Sequence, residues 1–396
     1  MSSSSQLKDL KIMRKKILDD SDYSDLEKEN KEINTQLIDH LNKKFDSEVA
    51  YNLDDYFPGE IPGWLSTGST LLDMVISNKP DAPGGIPVRR ITTITGDSGT
   101  GKSLLAYMML KSCKDQGGIP VLIDTEGAAD IDFLEMLGLE PKKNLIYVQV
   151  DSIEDVFKAI EETIKKIRET NKDKLCTIVW DSIAGTSVKQ ELENEFGGHV
   201  MGLHARMIGQ GLRKIVRYIA QQNVALIFLN QLRYKMNSSP FQDPFTEPGG
   251  LAAPFFSSVR LRLYSAGKIK HDKLGIVGVG IKAKVIKNRL GPPFREAELK
   301  MYFDRGIIDE ETWLDVMLEL EIVEKLSTQK SAIKFDGETI EFKNRDFVEW
   351  IRLPENKKLR DHMQKEIKKV LYIDQSNIKI NAETTTIEAL QADENI

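Results

Sequence analysis

Apolar residues arrive in two alternating rhythms between residues 90 and 303. Short runs rich in β-branched residues, of the kind a buried strand carries, occur at Arg90–Thr95, Pro120–Thr125, Leu145–Val150, Cys176–Asp181, Val224–Leu229, Val259–Leu263, Gly280–Asn288 and Ala297–Phe303. Apolar positions spaced three and four apart predict helices over Leu104–Gln116, Ile131–Leu137, Ile153–Glu169 and Leu203–Gln222. This alternation predicts an α/β fold, a mainly parallel sheet flanked by helices, with its late strands antiparallel. Upstream, residues 1–34 are polar and mixed in charge, helical or partly disordered. Leu37, Ile38, Leu41 and Phe45 then keep helical spacing before a linker at Asp54–Gly59. Ser69–Ile76 reads as a short helix and Pro80–Gly85 as a tight loop. From about Glu310 the pattern changes to short helices and one hairpin, Ile333–Phe342, turning at Asp336-Gly337. Four parts follow: an N-terminal extension over 1–60, a core over 61–305, a small α+β part over 306–372 and an acidic tail over 373–396.

With 396 residues, 40% of them hydrophobic, the chain buries a sizeable core and divides into more than one domain. No apolar run approaches the ~18 residues that a membrane span needs. Met1–Lys16 lacks an apolar signal core, so no membrane partner and a cytoplasmic location are expected. Cys113 and Cys176 read as buried free thiols in a reducing compartment. The net charge of −6 argues against a polyanion partner, but its distribution argues for one. Residues 201–300 hold 17 Lys or Arg against 5 Asp or Glu, while Ile373–Ile396 holds five acids against Lys379. Such a tail is expected to compete for the basic groove, so that removing it tightens duplex binding.

The candidate chemistry centres on Gly96-Asp97-Ser98-Gly99-Thr100-Gly101-Lys102-Ser103, which fits the phosphate-loop pattern between a strand and a helix. Glycines at that junction aim successive N–H groups and the positive end of the helix dipole at one spot, where a polyphosphate such as ATP fits. Lys102 would neutralise β- and γ-phosphate charge, and the Ser103 hydroxyl would ligate Mg²⁺. Magnesium also wants a carboxylate on a neighbouring strand end, and Asp181 closes the run Ile178-Val179-Trp180-Asp181. Glu126, directly after the strand Val121–Thr125, stands where strand ends converge and suits activation of the attacking water.

These segments and others in order resemble the RecA-type homologous recombinases. The resemblance runs from about Leu37 to Ile351 and is carried by Leu65–Ser69, the phosphate loop, Ile123–Glu126, Trp180–Ser182, Met201–Met207, Phe228–Arg233, Gly249-Gly250 and Lys284–Arg289. It implies a RecA-like P-loop ATPase core in which Glu126 activates water and Asp130 and Phe133 contact adenine. Gln231 would sense the γ-phosphate and order the basic loop that follows it. Lys287 and Arg289 would act on the neighbouring subunit's ATP; alternate strand positions put both on one face. Two loops look like DNA contacts, one over about 194–206 with Met201, Gly202 and Arg206, the other from Arg233 to Gly250 with Lys235, Phe241, Gly249 and Gly250. Basic groups, apolar side chains and glycines together suit single-strand binding without sequence reading. Arg213, seven residues after Arg206, shares its helix face.

The resemblance therefore implies an ATP-dependent DNA recombinase that forms a helical homo-oligomeric filament on single-stranded DNA and pairs it with double-stranded DNA. The competing expectations are a hexameric helicase on the same core and a non-catalytic mediator. The family's N-terminal helix and strand dock on the next protomer, roles open to Leu37–Phe45 and to Trp64–Leu65. Departures are Asp97 in the loop, Arg289 where lysine is usual, the bulky Trp180, and residues 1–34, which have no counterpart. The divergence tilts the source toward a phage rather than a bacterium.

Overall fold

Helix α1 (Asp20–Phe45) opens the described chain of this computed structural model, which covers residues 20–52, 59–193, 202–234 and 245–373. It begins well before the apolar spacing predicts, because its first half is polar and charged with no apolar face to read. Asn42 folds the following chain back: its side chain accepts from Val49 N and Ala50 N and donates to Ala50 O. Ile33, Leu37 and Phe45 stay exposed, an apolar set without cover among the described residues of this unit, residues 1–60. The predicted linker lies largely in 53–58, outside the described residues, as does the tail from 374 onward.

The second unit, residues 61–396, carries every strand named here. In order come β1 (Trp64–Leu65), α2 (Thr70–Ser77), β2 (Ile86–Pro87), β3 (Ile91–Gly96), α3 (Lys102–Asp115), β4 (Ile119–Asp124), α4 (Ile131–Met136), β5 (Ile146–Gln149), α5 (Ile153–Thr170) and β6 (Cys176–Asp181). Then follow α6 (Lys189–Glu193), α7 (Leu203–Gln221), β7 (Val224–Gln231), the short pair β8 (Arg233–Tyr234) and β9 (Phe245–Thr246), and α8 (Ala252–Phe256). The long strands β10 (Val259–His271) and β11 (Gly275–Asn288) lead to β12 (Glu296–Tyr302), β13 (Gly306–Ile307) and α9 (Glu310–Glu319). The last elements are β14 (Glu324–Lys325), β15 (Lys330–Phe335), β16 (Glu338–Lys343), α10 (Phe347–Ile351) and α11 (Lys357–Leu371).

The nine-stranded sheet runs β13-β12-β11-β10-β3-β7-β6-β4-β5. It is parallel from β10 through β5 and antiparallel from β10 outward, so the predicted α/β class stands. Parallel strands need cover on both faces, and the fully buried β3, β6 and β7 have it. One face packs Leu105, Met109 and Ile227 with α2 and α3; the other packs Ile160, Ile164, Leu212 and Ile215 of α5 and α7 on Trp180 and Phe228. Truncating either ring to alanine would cost about 3–5 kcal/mol.

Three details differ from the sequence reading. β10 and β11 extend beyond the predicted runs. The outer half of β10 pairs through the backbone while exposing mostly polar side chains, and β11 starts five residues early, at a glycine-interrupted stretch, 275–279, that pairs with it. The ribbon β8–β9 is additional, since two-residue strands carry no period from which to expect them. Trp64–Leu65 pairs with Ile86–Pro87 of its own chain, a contact the sequence reading did not anticipate, and Leu65 is fully buried.

The C-terminal hairpin β15–β16 turns at Asp336 and Gly337 as expected, both at positive φ as a type I′ turn demands. Helix α11 lies on α2, where Gln364 donates to Thr70 Oγ1, and the Asp309 carboxylate accepts from Thr70 N at 2.8 Å and from its hydroxyl. Burial pushes Asp309 up to about 7. Among the described residues no helix is long and apolar enough to cross a membrane.

Candidate functional site

The phosphate loop connects β3 to α3 as predicted. Gly101 caps the helix at φ +81°, a conformation that suits glycine, and a Cβ there would fall 2.5 Å from Ile281 Cδ1 on β11. The Lys102 ammonium is folded into the loop, donating to Gly96 O at 3.0 Å and Asp97 O at 2.7 Å. Burial lowers its pKa, against the attraction of Asp181 and Asp97. Two carbonyls thus hold the cation over the space that the loop's N–H groups surround. Asp97 contributes its carbonyl, which also accepts from Thr100 Oγ1.

Ser103 Oγ donates to Asp181 Oδ2 at 2.7 Å, so the helix start and the end of β6 meet. Burial pushes Asp181 up to about 6, and the charges of Glu126 and Asp124 raise it further against the Ser103 hydrogen bond. A desolvated carboxylate beside a hydroxyl, short of positive charge, is a donor set that a hard divalent cation fits, with phosphate oxygens and water completing its shell. Among the described residues no cluster of three or more His, Cys, Asp or Glu gathers, so this two-residue set would depend on the nucleotide for its remaining ligands.

Glu126 sits across β6 from the loop, its Oε1 accepting from Ser182 Oγ. The following helix, α4, is capped by Asp130, whose carboxylate accepts from Phe133 N at 3.0 Å, and not by Glu126. What fixes the Glu126 segment is Asp124. Its Oδ1 accepts from Glu126 N at 3.0 Å and Gly127 N at 2.8 Å, and its Oδ2 from Ala129 N at 3.0 Å and Tyr147 OH at 2.9 Å. Sequence reading missed Asp124 and Tyr147, since a buried aspartate at a strand end and a tyrosine on an edge strand show nothing until their register is known. Phe133 is turned into the core, 6.3 Å from the Tyr107 ring.

Gln231 is the last residue of β7, level with Gly96 in the sheet, one strand from the phosphate loop. The preceding Asn230 donates to Pro248 O at 2.9 Å, which ties the strand end to the point where the second loop returns. The base of that loop is the β8–β9 ribbon, with Arg233 exposed. Lys235 and Phe241, like Met201 in the first loop, lie outside the described residues. Gly202 caps α7, and Arg206 and Arg213 are both exposed along that helix. Gly249 and Gly250 pack on its first turn: Cβ atoms there would lie 3.0 Å from Ile183 and 2.9 Å from the Ala205 Cβ. The described ends of both loops therefore meet at one corner.

Lys287 and Arg289 lie elsewhere. Lys287 Nζ donates to Pro254 O and Phe255 O at 2.8 Å each, and Arg289 donates to Phe255 O at 3.2 Å, so both cations face the C-terminal end of α8. Burial, then Arg289 and Arg260, bring Lys287 down to about 8. Ile281, which abuts the phosphate loop, is six positions from Lys287 on β11, about 20 Å along an extended strand. In register, Lys287 is level with Thr93 on β3, three residues before Gly96 and two strands away, so the cation pair lies toward the end of the strands opposite the loop.

A family model described as the RecA N-terminal domain matches residues 31–308. Among curated proteins, Protein RecA of Wolinella succinogenes is 35% identical over 288 residues, 73% of this chain and 78% of its own length. Proteins of the same name from Helicobacter hepaticus and Helicobacter pylori (strain G27) are each 34% identical over 288 residues, 73% of this chain and 79% of theirs.

Proposed function

The chain belongs to the RecA family, and from that premise we propose how its own residues divide the work of the family's reaction. It is an ATP-dependent recombinase and DNA-dependent ATPase of recombination and repair, binding nucleotide and DNA and assembling into filaments. In our reading the filament forms on single-stranded DNA, samples double-stranded DNA and lets base pairing decide homology. Residues 1–60 serve docking, with the exposed Ile33, Leu37 and Phe45 of α1 seated on the next protomer. Residues 61–305 form the ATPase and DNA-binding core, 306–372 a small C-terminal part and 373–396 an acidic tail. The setting is the cytoplasm of a bacterial or phage-infected cell.

Hydrolysis transfers the γ-phosphoryl group to water. Glu126 orients the water and takes its proton, while Lys102 and the loop N–H groups hold the phosphates. Ser103 and Asp181 would hold Mg²⁺, which when bound supplies charge neutralisation at the β- and γ-phosphates. Gln231 reads the γ-phosphate and passes its presence through Asn230 and Pro248 to the second loop. There Arg233, Lys235, Phe241, Gly249 and Gly250, with Met201, Gly202, Arg206 and Arg213, contact the strand. Asp130, at the start of α4, borders the adenine, with the core-facing Phe133 packed behind it.

The reading is carried by one observation, the distance between Lys287 and Arg289 and their own phosphate loop. Cations about 20 Å along a strand from that loop serve it only when a second copy brings them across a head-to-tail interface. Mixing two inactive variants tests this. Lys102→Ala lacks a working loop and Lys287→Ala lacks a working cation, so each alone should be silent. An equimolar mixture should recover about a quarter of the wild-type DNA-dependent ATPase, since random head-to-tail neighbours then juxtapose the two intact halves at one interface in four. No recovery, with both variants still joining filaments by microscopy, would mean that the cations do not act across subunits.

A further inference from the structure

Helix α7 begins immediately after the first candidate DNA loop, and its second residue is His204. His204 Nε2 lies 3.0 Å from Thr186 O. A carbonyl only accepts, so Nε2 carries the proton and donates. Thr186 is buried, and its hydroxyl donates to Ser182 O at 2.7 Å, accepts from Trp180 Nε1 at 2.9 Å and lies 2.8 Å from Thr125 Oγ1. Ser182 in turn holds Glu126 through its hydroxyl. A continuous set of hydrogen bonds therefore runs from the start of α7 to the carboxylate proposed to activate water.

The same histidine also faces the second loop. A Cβ on Gly249 would stand 3.0 Å from Ile183 Cγ2 and 3.8 Å from His204 Cε1, so the returning strand of that loop is wedged against both. The residue before it, Pro248, accepts from Asn230, the neighbour of Gln231. The His204 ring therefore stands beside the bases of both loops while bonded to Thr186.

We infer that His204 is a positioning residue that couples occupancy of the two DNA loops to the geometry of Glu126. The inference rests on the function proposed above. It predicts two effects of the one contact: DNA accelerates hydrolysis through it, and nucleotide state alters DNA affinity through it. DNA then alters nucleotide affinity by the same factor, because coupling between binding free energies is reciprocal. A competing structural role, a staple for the first turn of α7, would change stability and leave the coupling intact.

The test compares wild type, His204→Ala and His204→Gln. Readouts are ATP turnover with and without single-stranded DNA, DNA affinity in a non-hydrolysable ATP analogue and in ADP, and thermal melting. Losing one hydrogen bond of ordinary net strength should cut DNA stimulation of the alanine variant about five-fold, and shrink the ratio of the two DNA affinities by a similar factor. Its melting midpoint should stay within a few degrees, alanine being the best helix former. The His204→Gln variant, whose side-chain amide N–H reaches about as far as Nε2, should recover most of the coupling. Undiminished coupling in the alanine variant would overturn the inference, as would a folded glutamine variant that is no better than alanine. If the alanine variant fails to fold, the glutamine variant decides alone. Wild-type protein without DNA stimulation would instead sink the proposed function itself.

Discussion

The phosphate-loop end of the sheet and the Lys287–Arg289 end hold positive charge in opposite ways. At the loop, Lys102 is buried, clamped by two carbonyls of its own segment and opposed by Asp181, so its cation is in place before any ligand arrives. At the far end, Lys287 and Arg289 share the carbonyls that end α8, and burial together with the Arg289 charge lowers the ease with which Lys287 stays charged. One site holds its cation against its own loop; the other gathers like charges with no carboxylate against them among the described residues. Preorganised charge at the loop suits binding, whereas under-compensated charge at the far end would suit catalysis that waits for assembly, as proposed above.

The sharpest break in that comparison comes from the loop side. Lys102→Ala should abolish ATP hydrolysis, and Glu126→Gln should lower it about 100- to 1,000-fold while nucleotide binding persists. Fluorescent-nucleotide titration beside a phosphate-release assay separates the two. If Glu126→Gln turned over at the wild-type rate, water activation would belong to another group.

Sequence alone made the loop end legible because its chemistry is local. Eight consecutive residues between a β-branched run and an apolar helix state both the geometry and the ligand, and Asp181 and Glu126 follow as strand-end carboxylates. The far end was readable only through resemblance. Lys287 and Arg289 are two cations on an exposed strand end, and nothing in their spacing says that Pro254 and Phe255 lie beneath them. Supporting residues were not readable at all. Tyr147, Ser182 and Asn230 act through partners that are far from them in sequence, and Asp124 through backbone N–H groups whose approach depends on the turn after β4. β10 hides its true length because backbone pairing leaves no apolar period. The pairing of Trp64–Leu65 with Ile86–Pro87 was unreadable for a related reason, since a two-residue strand does not show which partner it takes.

The loop side has a second, smaller test in Asp124. Its four accepted hydrogen bonds hold the backbone of 126–129 in place, and Asp124→Asn turns one acceptor oxygen into a donor facing N–H groups. Turnover should fall about ten-fold or more with KM for ATP little changed, since the phosphates are held elsewhere. Tyr147→Phe, which removes one of the four bonds, should lose only about two- to five-fold. A rise in KM with unchanged kcat would place Asp124 in binding rather than in positioning.

The interface side is tested by pH, with the smallest expected effect. Lys287 sits near 8 in the free protomer against an ordinary 10.5, so it is charged below about 8 and neutral above. The unfolded chain keeps this proton to higher pH, which means that the free protomer gains stability from about pH 8 to 10.5 while losing its interfacial cation. Hydrolysis at limiting ATP and protein, which reports the free species, should therefore fall several-fold between about pH 7.5 and 9. The assembled filament should resist that fall, because a phosphate brought by the neighbour restores the lysine's proton affinity. Lys287→Arg removes the titration and should flatten the limb at limiting concentrations, at whatever absolute rate the changed donor geometry permits. A limb that survives the substitution belongs to a different group, and Lys287 would then be charged throughout that range.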